Sequence, residues 1–275
     1  MPYLSCGGVA KPLYQVPTFA DGTDEEIATA LQKHYAGEID LADYWSVGDE
    51  RQINISAIAA SGTYDGVSWT VNESHRAQTI TVRIIGIKHD NLTTPINGIA
   101  KAAITVDMKD CLRDASVSDT DGANNTEKGY MHYSSTNVVG WTYCARRAWC
   151  NGGFYQALPE VLRSCVKSVN KLTSEGNKSD IINTDSDKAF LLSEVEVFGT
   201  TNNSFTGEGS QYSLYAEGDS YRIKLPRNSN DVSAAWWERS PTNTYSNMYC
   251  AVTSDISLGI SNANVYSGIS PAFCM

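Results

Sequence analysis

The chain predicts an α+β protein made of short, loop-rich antiparallel strands with a few helices, and three observations lead there. Ile53 and Ile55, then Ile80, Val82 and Ile84, alternate with polar neighbours at the period of two that marks a half-buried strand. Polar runs punctuated by many of the 21 glycines separate these segments at short intervals. Near the start, TDEEIATALQKHYAGE carries the 3.6-residue pattern of a helix instead, with Ile27, Leu31 and Tyr35 on one face. Thr23 or Asp24 is placed to cap it, Glu25 and Glu26 favour its positive end, and Gly37 stops it.

The strongest strand is QTITVRIIGI, residues 78–87, with RQINISAIA before it. SGTYDGVSWTVNESH between them reads as a hairpin loop, and HDNLTTPINGIAK as a longer connection to a short strand AAITV. In GWTYCARRAWCNGGFYQALPEVLRSCVKSVNKL, Trp141, Cys144 and Ala148 suggest a helix that ends at Asn151-Gly152-Gly153, followed by a second one from Pro159 to Cys165. KAFLLSEVEVFG holds a buried apolar run from Ala189 to Leu192, and SFTGEGSQYSLY a glycine-punctuated loop. No period of 20 to 50 residues recurs, which excludes a solenoid.

With 275 residues, 41% hydrophobic and 19% charged, the chain has material for a sizeable core. Its net charge is −10 and Arg146-Arg147 is an isolated basic pair, so a nucleic-acid partner is not expected. No stretch approaches the apolar length of a membrane span, and the opening MPYLSCGGVAKPLYQVP lacks the pattern of an export signal. The seven cysteines, Cys6, Cys111, Cys144, Cys150, Cys165, Cys250 and Cys274, form an odd set without a C-x-x-C pair and read as reduced, buried residues. Four scattered histidines make no zinc ligand set, so neither metal nor cofactor is expected. DTDGANNTE, residues 119–127, collects oxygen ligands suited to calcium but misses the twelfth-position glutamate of an EF-hand, and reads as a solvated turn.

The last forty residues, WWERSPTNTYSNMYCAVTSDISLGISNANVYSGISPAFCM, set a polar stretch between apolar brackets. Residues 242–267 comprise four Asn, five Ser, three Thr and three Tyr among 26, with Asp255 as the single formal charge. Tyrosine offers large contact area at low rotamer cost and asparagine both donates and accepts, so this composition suits a recognition surface. The ligand-contacting set predicted here is Thr242, Asn243, Tyr245, Asn247, Tyr249, Asn262, Asn264 and Tyr266. Strand alternation turns Cys250 and Val252 inward and Tyr249, Ala251 and Thr253 outward. The brackets, Trp236, Trp237, Arg239, Ile269, Pro271 and Phe273, are predicted framework: paired tryptophans cover both faces of a strand, and the arginine fork satisfies loop carbonyls.

WSVGD, TVRIIGIKHD, ARRAWCN, VNKLTSEGN, SDKAFLLSEVEVFG, FTGEGSQY, WWERSP and GISPAFC, in that order, resemble a protein family encoded in phages and prophages of gut Firmicutes, over residues 44–275. That family is in turn similar, more distantly, to the C-type-lectin-like fold shared by formylglycine-generating enzymes and the variable proteins of diversity-generating retroelements. The resemblance implies a C-type-lectin-like domain at 44–275 with its display region at 242–267, preceded by an attachment or docking segment at 1–43. It also implies a virion protein exposed on the particle, at a tail fibre, tail tip or capsid fibre. Its partners would be a host cell-surface protein or glycan, other virion subunits, and a second copy in a homo-oligomer. Retroelement diversification would favour Asn, Ser, Tyr, Thr and Asp, the residue types that 242–267 carries.

Formylglycine-generating enzymes use a close pair of cysteines near the C-terminus, whereas Cys250 and Cys274 stand 24 positions apart, so that chemistry does not carry over. No G-x-S-x-G elbow, phosphate loop or dinucleotide fingerprint occurs. The expectation is therefore a binding protein and not an enzyme. Two alternatives stay open: a carbohydrate-active enzyme using Glu194, Glu196 or Glu208, which requires them to face one another across a cleft, and a purely structural virion subunit.

Overall fold

The computed structural model describes residues 14–70, 76–113, 128–225 and 233–275. The 119–127 segment and Cys6 lie outside the described residues. Strands β1 (Glu50–Ile55), β2 (Ser61–Tyr64), β3 (Val67–Thr70), β4 (Gln78–Ile87), β5 (Asn91–Ile96), β6 (Ile99–Lys101) and β7 (Ile104–Met108) fill the first part of the chain after helix α1 (Asp24–Tyr35). Then come β8 (Lys128–Gly129), helices α2 (Ala145–Trp149), α3 (Tyr155–Ala157) and α4 (Glu160–Cys165), and strands β9 (Val169–Ser174), β10 (Ile182–Asp187) and β11 (Ala189–Phe190). Helices α5 (Glu194–Phe198) and α6 (Ser213–Glu217) lead to β12 (Trp236–Pro241), β13 (Met248–Val252), β14 (Leu258–Asn262), β15 (Ser267–Gly268) and β16 (Ala272–Cys274). The protein is thus a β-rich α+β fold.

The first sheet runs β1-β4-β7-β16-β11 and is antiparallel throughout. One face of its centre is apolar: Val82, Ile84, Val106 and Phe273 are fully buried, and Phe273 sits opposite Val106. The C-terminal strand is therefore interior, between β7 and β11, which is why Ala272, Phe273 and Cys274 are apolar on both faces. A second sheet runs β10-β9-β5-β6 and a third β14-β13-β12-β15-β8, where β12 and β15 are parallel.

Helix α1 begins in a capping box, with the Glu26 amide donating to the Thr23 hydroxyl at 3.2 Å and the Thr23 amide to the Glu26 carboxylate at 2.8 Å. Ile27, Leu31 and Tyr35 form its buried face, which packs on α4. Asn97 donates to the Tyr35 carbonyl and the Ala103 amide to the Tyr35 hydroxyl, so the helix is docked on the body.

Three local expectations need correction. The 61–75 stretch holds a hairpin of its own, β2–β3, turning at Asp65-Gly66, and the connection after β4 holds another, β5–β6, turning at Asn97-Gly98. Positive φ values at each pair (50° and 76°; 49° and 83°) are those of a type I′ turn, which Asp-Gly and Asn-Gly adopt at little cost. Asn151-Gly152-Gly153 does not stop a helix: α2 continues through a π-helical turn at Cys150–Phe154 into α3. A Cβ on Gly152 would meet the Trp69 ring at 2.6 Å and one on Gly62 would meet it at 2.3 Å, so the two glycines admit an indole between helix and hairpin. Trp141 and Cys144 precede this helix, Cys144 as its N-cap, and the stretch after Gly209 closes into α6.

The β13–β14 hairpin stores strain. Its ends meet where the Thr253 amide donates to the Ser257 carbonyl, and Ile256 in the turn has φ of 65°, a left-handed conformation that a β-branched side chain adopts at a cost of roughly 1–3 kcal/mol. Ile256→Gly should therefore stabilise the protein by about 1 kcal/mol, read as a rise of roughly 2–4 °C in thermal unfolding. A lower Tm would mean that the Ile256 side chain packs for more than its backbone costs.

Candidate functional site

Beneath residues 242–267 lies β12, in which every residue is buried. Trp236 donates its indole N–H to the Arg222 carbonyl at 3.1 Å, and Trp237 donates to the Gly129 carbonyl at 2.6 Å, so each side of the strand is anchored to a different segment. Arg239, fully buried, donates to the carbonyls of Leu191, Leu172 and Glu208 at 2.9, 3.1 and 3.0 Å and to the Thr173 hydroxyl at 2.9 Å. Both of its terminal nitrogens also reach the Glu196 carboxylate. Trp236, Trp237, Arg239 and Phe273, the predicted framework residues, are all fully buried.

The three glutamates weighed as catalytic carboxylates are buried, interior groups. Burial favours the neutral form of Glu196, but the Arg239 and Lys171 charges outweigh it and hold the carboxyl below its usual range. Lys171 continues the row, donating to Glu196 at 2.6 Å, to Asp90 at 2.7 Å and to the Tyr212 hydroxyl at 3.1 Å. Glu194 accepts the amides of Asn203 at 3.0 Å and Ser204 at 2.7 Å. Glu208 accepts the Ser174 amide at 2.9 Å and the Ser240 hydroxyl, yet burial pushes its pKa up to about 7. Glu238, on β12, is also fully buried, and neither of its oxygens meets a donor among the described residues. Burial first, then the charges of Glu194 and Glu208, keep it neutral well above the usual carboxylate range.

Above this frame, three segments form one surface. Asn137 is fully buried; its side-chain amide donates to the carbonyls of Tyr245 at 2.8 Å and Met248 at 2.7 Å, and its own backbone amide donates to Ser246 at 2.8 Å. The amides of Met131 and His132 donate to the Ala263 carbonyl, and the Ala263 amide to the Asn247 carbonyl. Residues 130–140, the 242–248 turn and the 262–266 turn are consequently tied together. Their exposed side chains include Tyr133 (68% exposed), Val138 (55%), Tyr245 (46%), Val265 and Tyr266 (44% each). Tyr130 meets the Tyr266 ring edge-on at 5.9 Å. The surface is neutral: residues 129–144 contain no Asp, Glu, Lys or Arg, and burial lowers the pKa of His132, whose Nδ1 accepts the Ala145 amide.

The structure divides the predicted contact set. Tyr245, Asn264 and Tyr266 are exposed, and Asn243, Asn247 and Asn262 are half-buried. Asn243 donates to the Ser204 carbonyl at 2.9 Å, and Asn247 to the Asn262 side chain at 2.6 Å. Thr242 and Tyr249 are corrected to the interior, as is Ala251. Thr242 closes the turn through the Tyr245 main chain, donating to its carbonyl at 2.8 Å. Tyr249 donates to the Gly140 carbonyl at 2.8 Å, because 130–140 covers the face of β13 that strand alternation alone would leave open to water. Cys250 and Val252 are inward as anticipated. Sequence reasoning missed Tyr133, Asn137 and Val138, although YMHYSSTNVVG shares the tyrosine, serine and amide content and the lack of acids and bases that singled out 242–267. The six described cysteines are unpaired and buried.

A family model described as a domain of unknown function, DUF6273, matches residues 109–275, more than half of the chain. The chain belongs to the DUF6273 family. No curated protein and no solved structure matches it. The matched part includes β12 through β16 and the whole surface just described, while three strands of the first sheet, β1, β4 and β7, precede it.

Two measurements test the frame of this DUF6273 domain. Arg239→Ala leaves Glu196 without its bidentate partner and removes the guanidinium's bonds to three carbonyls, a loss of roughly 3–5 kcal/mol. Thermal unfolding should fall by on the order of 10 °C; an unchanged Tm would remove Arg239 from the framework. Glu208 also predicts a pH dependence. Its folded pKa lies above the unfolded value, so its stabilising contribution is complete below the unfolded pKa and is lost as pH rises through about 7. Tm should decline between about pH 4.5 and pH 7 and level off above that, and Glu208→Gln should flatten that decline; equal slopes for the two proteins would contradict it.

Proposed function

We propose that this chain is a ligand-binding protein of a phage virion that recognises a host-surface protein or glycan through the surface formed by 130–140, 242–248 and 262–266. The observation that carries the reading is a neutral cluster of exposed tyrosines and amides mounted on turns whose main chains are bonded to a buried frame. Rigid aromatic contacts lose little side-chain entropy on binding, and turns already held in place lose little more, so contact area converts efficiently into affinity. The virion assignment, at a tail fibre, tail tip or capsid fibre, follows from the resemblance to phage and prophage proteins. The C-type-lectin-like description and retroelement diversification belong to the same proposal, supported by interior closing strands and by the residue types at the exposed positions. Against a glycosidase, Glu194, Glu196 and Glu208 are all buried and engaged in interior hydrogen bonds.

Replacing Tyr133, Tyr245 and Tyr266 together by Ala should abolish labelling of host cells by the fluorescent protein. The Tm should stay within a few degrees, since surface substitutions usually cost under about 0.5 kcal/mol each. A folded triple variant that still labels cells would place recognition elsewhere. Wild-type protein that labels no host cell but joins other virion subunits would favour a structural role.

A further inference from the structure

Strand β14 ends the third sheet, and no other described strand pairs with its outer side. The Ala263 amide donates to the Asn247 carbonyl and the Thr253 amide to the Ser257 carbonyl, which fixes the phase of the β13–β14 ladder. Antiparallel alternation then turns the odd-numbered residues of β14 toward β13 and directs the main-chain groups of Leu258, Ile260 and Asn262 away from the sheet. The Asn262 carbonyl takes the Val265 amide, which leaves both groups of Leu258 and Ile260 and the Asn262 amide on the free edge.

Proteins commonly protect such edges with charge, proline or shortness. Most other outer strands here are protected in that way: β1 carries Glu50 and Arg51, β10 carries Asp185 and Asp187, and β6, β8 and β11 have three residues or fewer, while the uncharged β2 and β3 form a two-stranded sheet that packs on α2. LGISN carries none of these devices, and Ile260 is 38% exposed. The edge is also suited electrostatically to a copy of itself. Each molecule carries a net charge of −10, so two copies repel over most of their surface, whereas residues 256–267 contain no charge at all.

We propose that β14 pairs antiparallel with β14 of a second copy of this chain, about a two-fold axis at Ile260. Residue 260 then faces itself and exchanges both main-chain bonds, while the Asn262 amide of each copy donates to the Leu258 carbonyl of the other. The third sheets of the two copies become one continuous sheet, an isologous contact that closes and leaves no further edge on that side. The 262–266 turn follows β14 directly, so pairing brings two recognition surfaces into one particle and allows bivalent attachment. The pairing itself does not depend on the recognition reading.

Light scattering on the purified full chain across a dilution series tests it. The wild type should approach twice its 30.0 kDa mass at the concentrated end. Ile260→Lys, which sets two ammonium groups against each other at the axis, should stay at the monomer mass with an unchanged circular dichroism spectrum. Ile260→Cys should give a covalent dimer on mild oxidation that the wild type does not give, and decides the matter if the lysine variant fails to fold. A wild type that is monomeric at every concentration overturns the proposal and leaves the edge to an extended segment of another protein. A folded lysine variant that still dimerises, or a cysteine variant that does not cross-link, overturns it equally.

Discussion

The contact between Arg239 and Glu196 constrains the rest of the structure. A guanidinium removed wholly from water is costly unless it is neutralised and its donors find acceptors. Glu196 supplies the charge from the first turn of α5, where Ser193 caps the helix and the Glu196 carboxylate answers the Ser193 amide. The remaining acceptors come from β9, from the end of β11 and from the loop before α6. Glu196 in turn requires Lys171, and Lys171 requires Asp90, where the Tyr212 and Thr105 hydroxyls complete the coordination. The row alternates in sign and ends neutral, joining segments far apart in the chain. Two further buried clusters pair opposite charges: Arg83 and Lys224 share Asp107, and Arg147 meets Asp187 beside Asn151 and Trp141. Breaking one member of such a cluster is costly, so these clusters restrict which segments can meet as well as how tightly they hold.

Much of this could be read from residue order. The capping box of α1, the span of β4 and the buried arginine of WWERSP have local causes: a hydroxyl three residues before a glutamate, alternation of Ile80, Val82 and Ile84 with polar neighbours, and a cation among tryptophans. The errors arose where a neighbour decides. Asn-Gly and Asp-Gly turns were present in loops that looked merely polar, and the hairpins appear only once their partner strands are known. Gly152 carries a helix past a stop signal because Trp69, more than eighty positions earlier, occupies the space that a side chain would take. Tyr249 obeyed the period of two, but 130–140 lies on the face that the period assigned to solvent. Glutamates 194, 196 and 208 look alike in sequence, and only packing shows that each serves a different main-chain or ionic partner.

The surface gains its order from below. Glu194 binds the amides of Asn203 and Ser204, and the carbonyls of those residues receive the main-chain and side-chain amides of Asn243, so an interior carboxylate positions one end of the 242–248 turn. Asn137 positions the other end, and its remaining oxygen accepts the Asn177 amide. A carboxylate and a carboxamide thereby do for these turns what a strand ladder does elsewhere.

This arrangement separates holding from displaying, residue by residue. Tyr245 is fixed through its carbonyl and amide, by Asn137 and Thr242, and Asn264 and Val265 follow Ala263, whose amide and carbonyl are both bound. Their side chains therefore change without touching the bonds that shape the surface. Asn243, Asn247 and Asn262 differ, because their side chains are themselves bonded to neighbouring turns, and Thr242 and Tyr249 belong wholly to the interior. A stretch that looks uniformly polar in sequence is thus two interleaved sets, and variation aimed at binding has to fall on the displaying set, since any other choice would first dismantle the turns that present it.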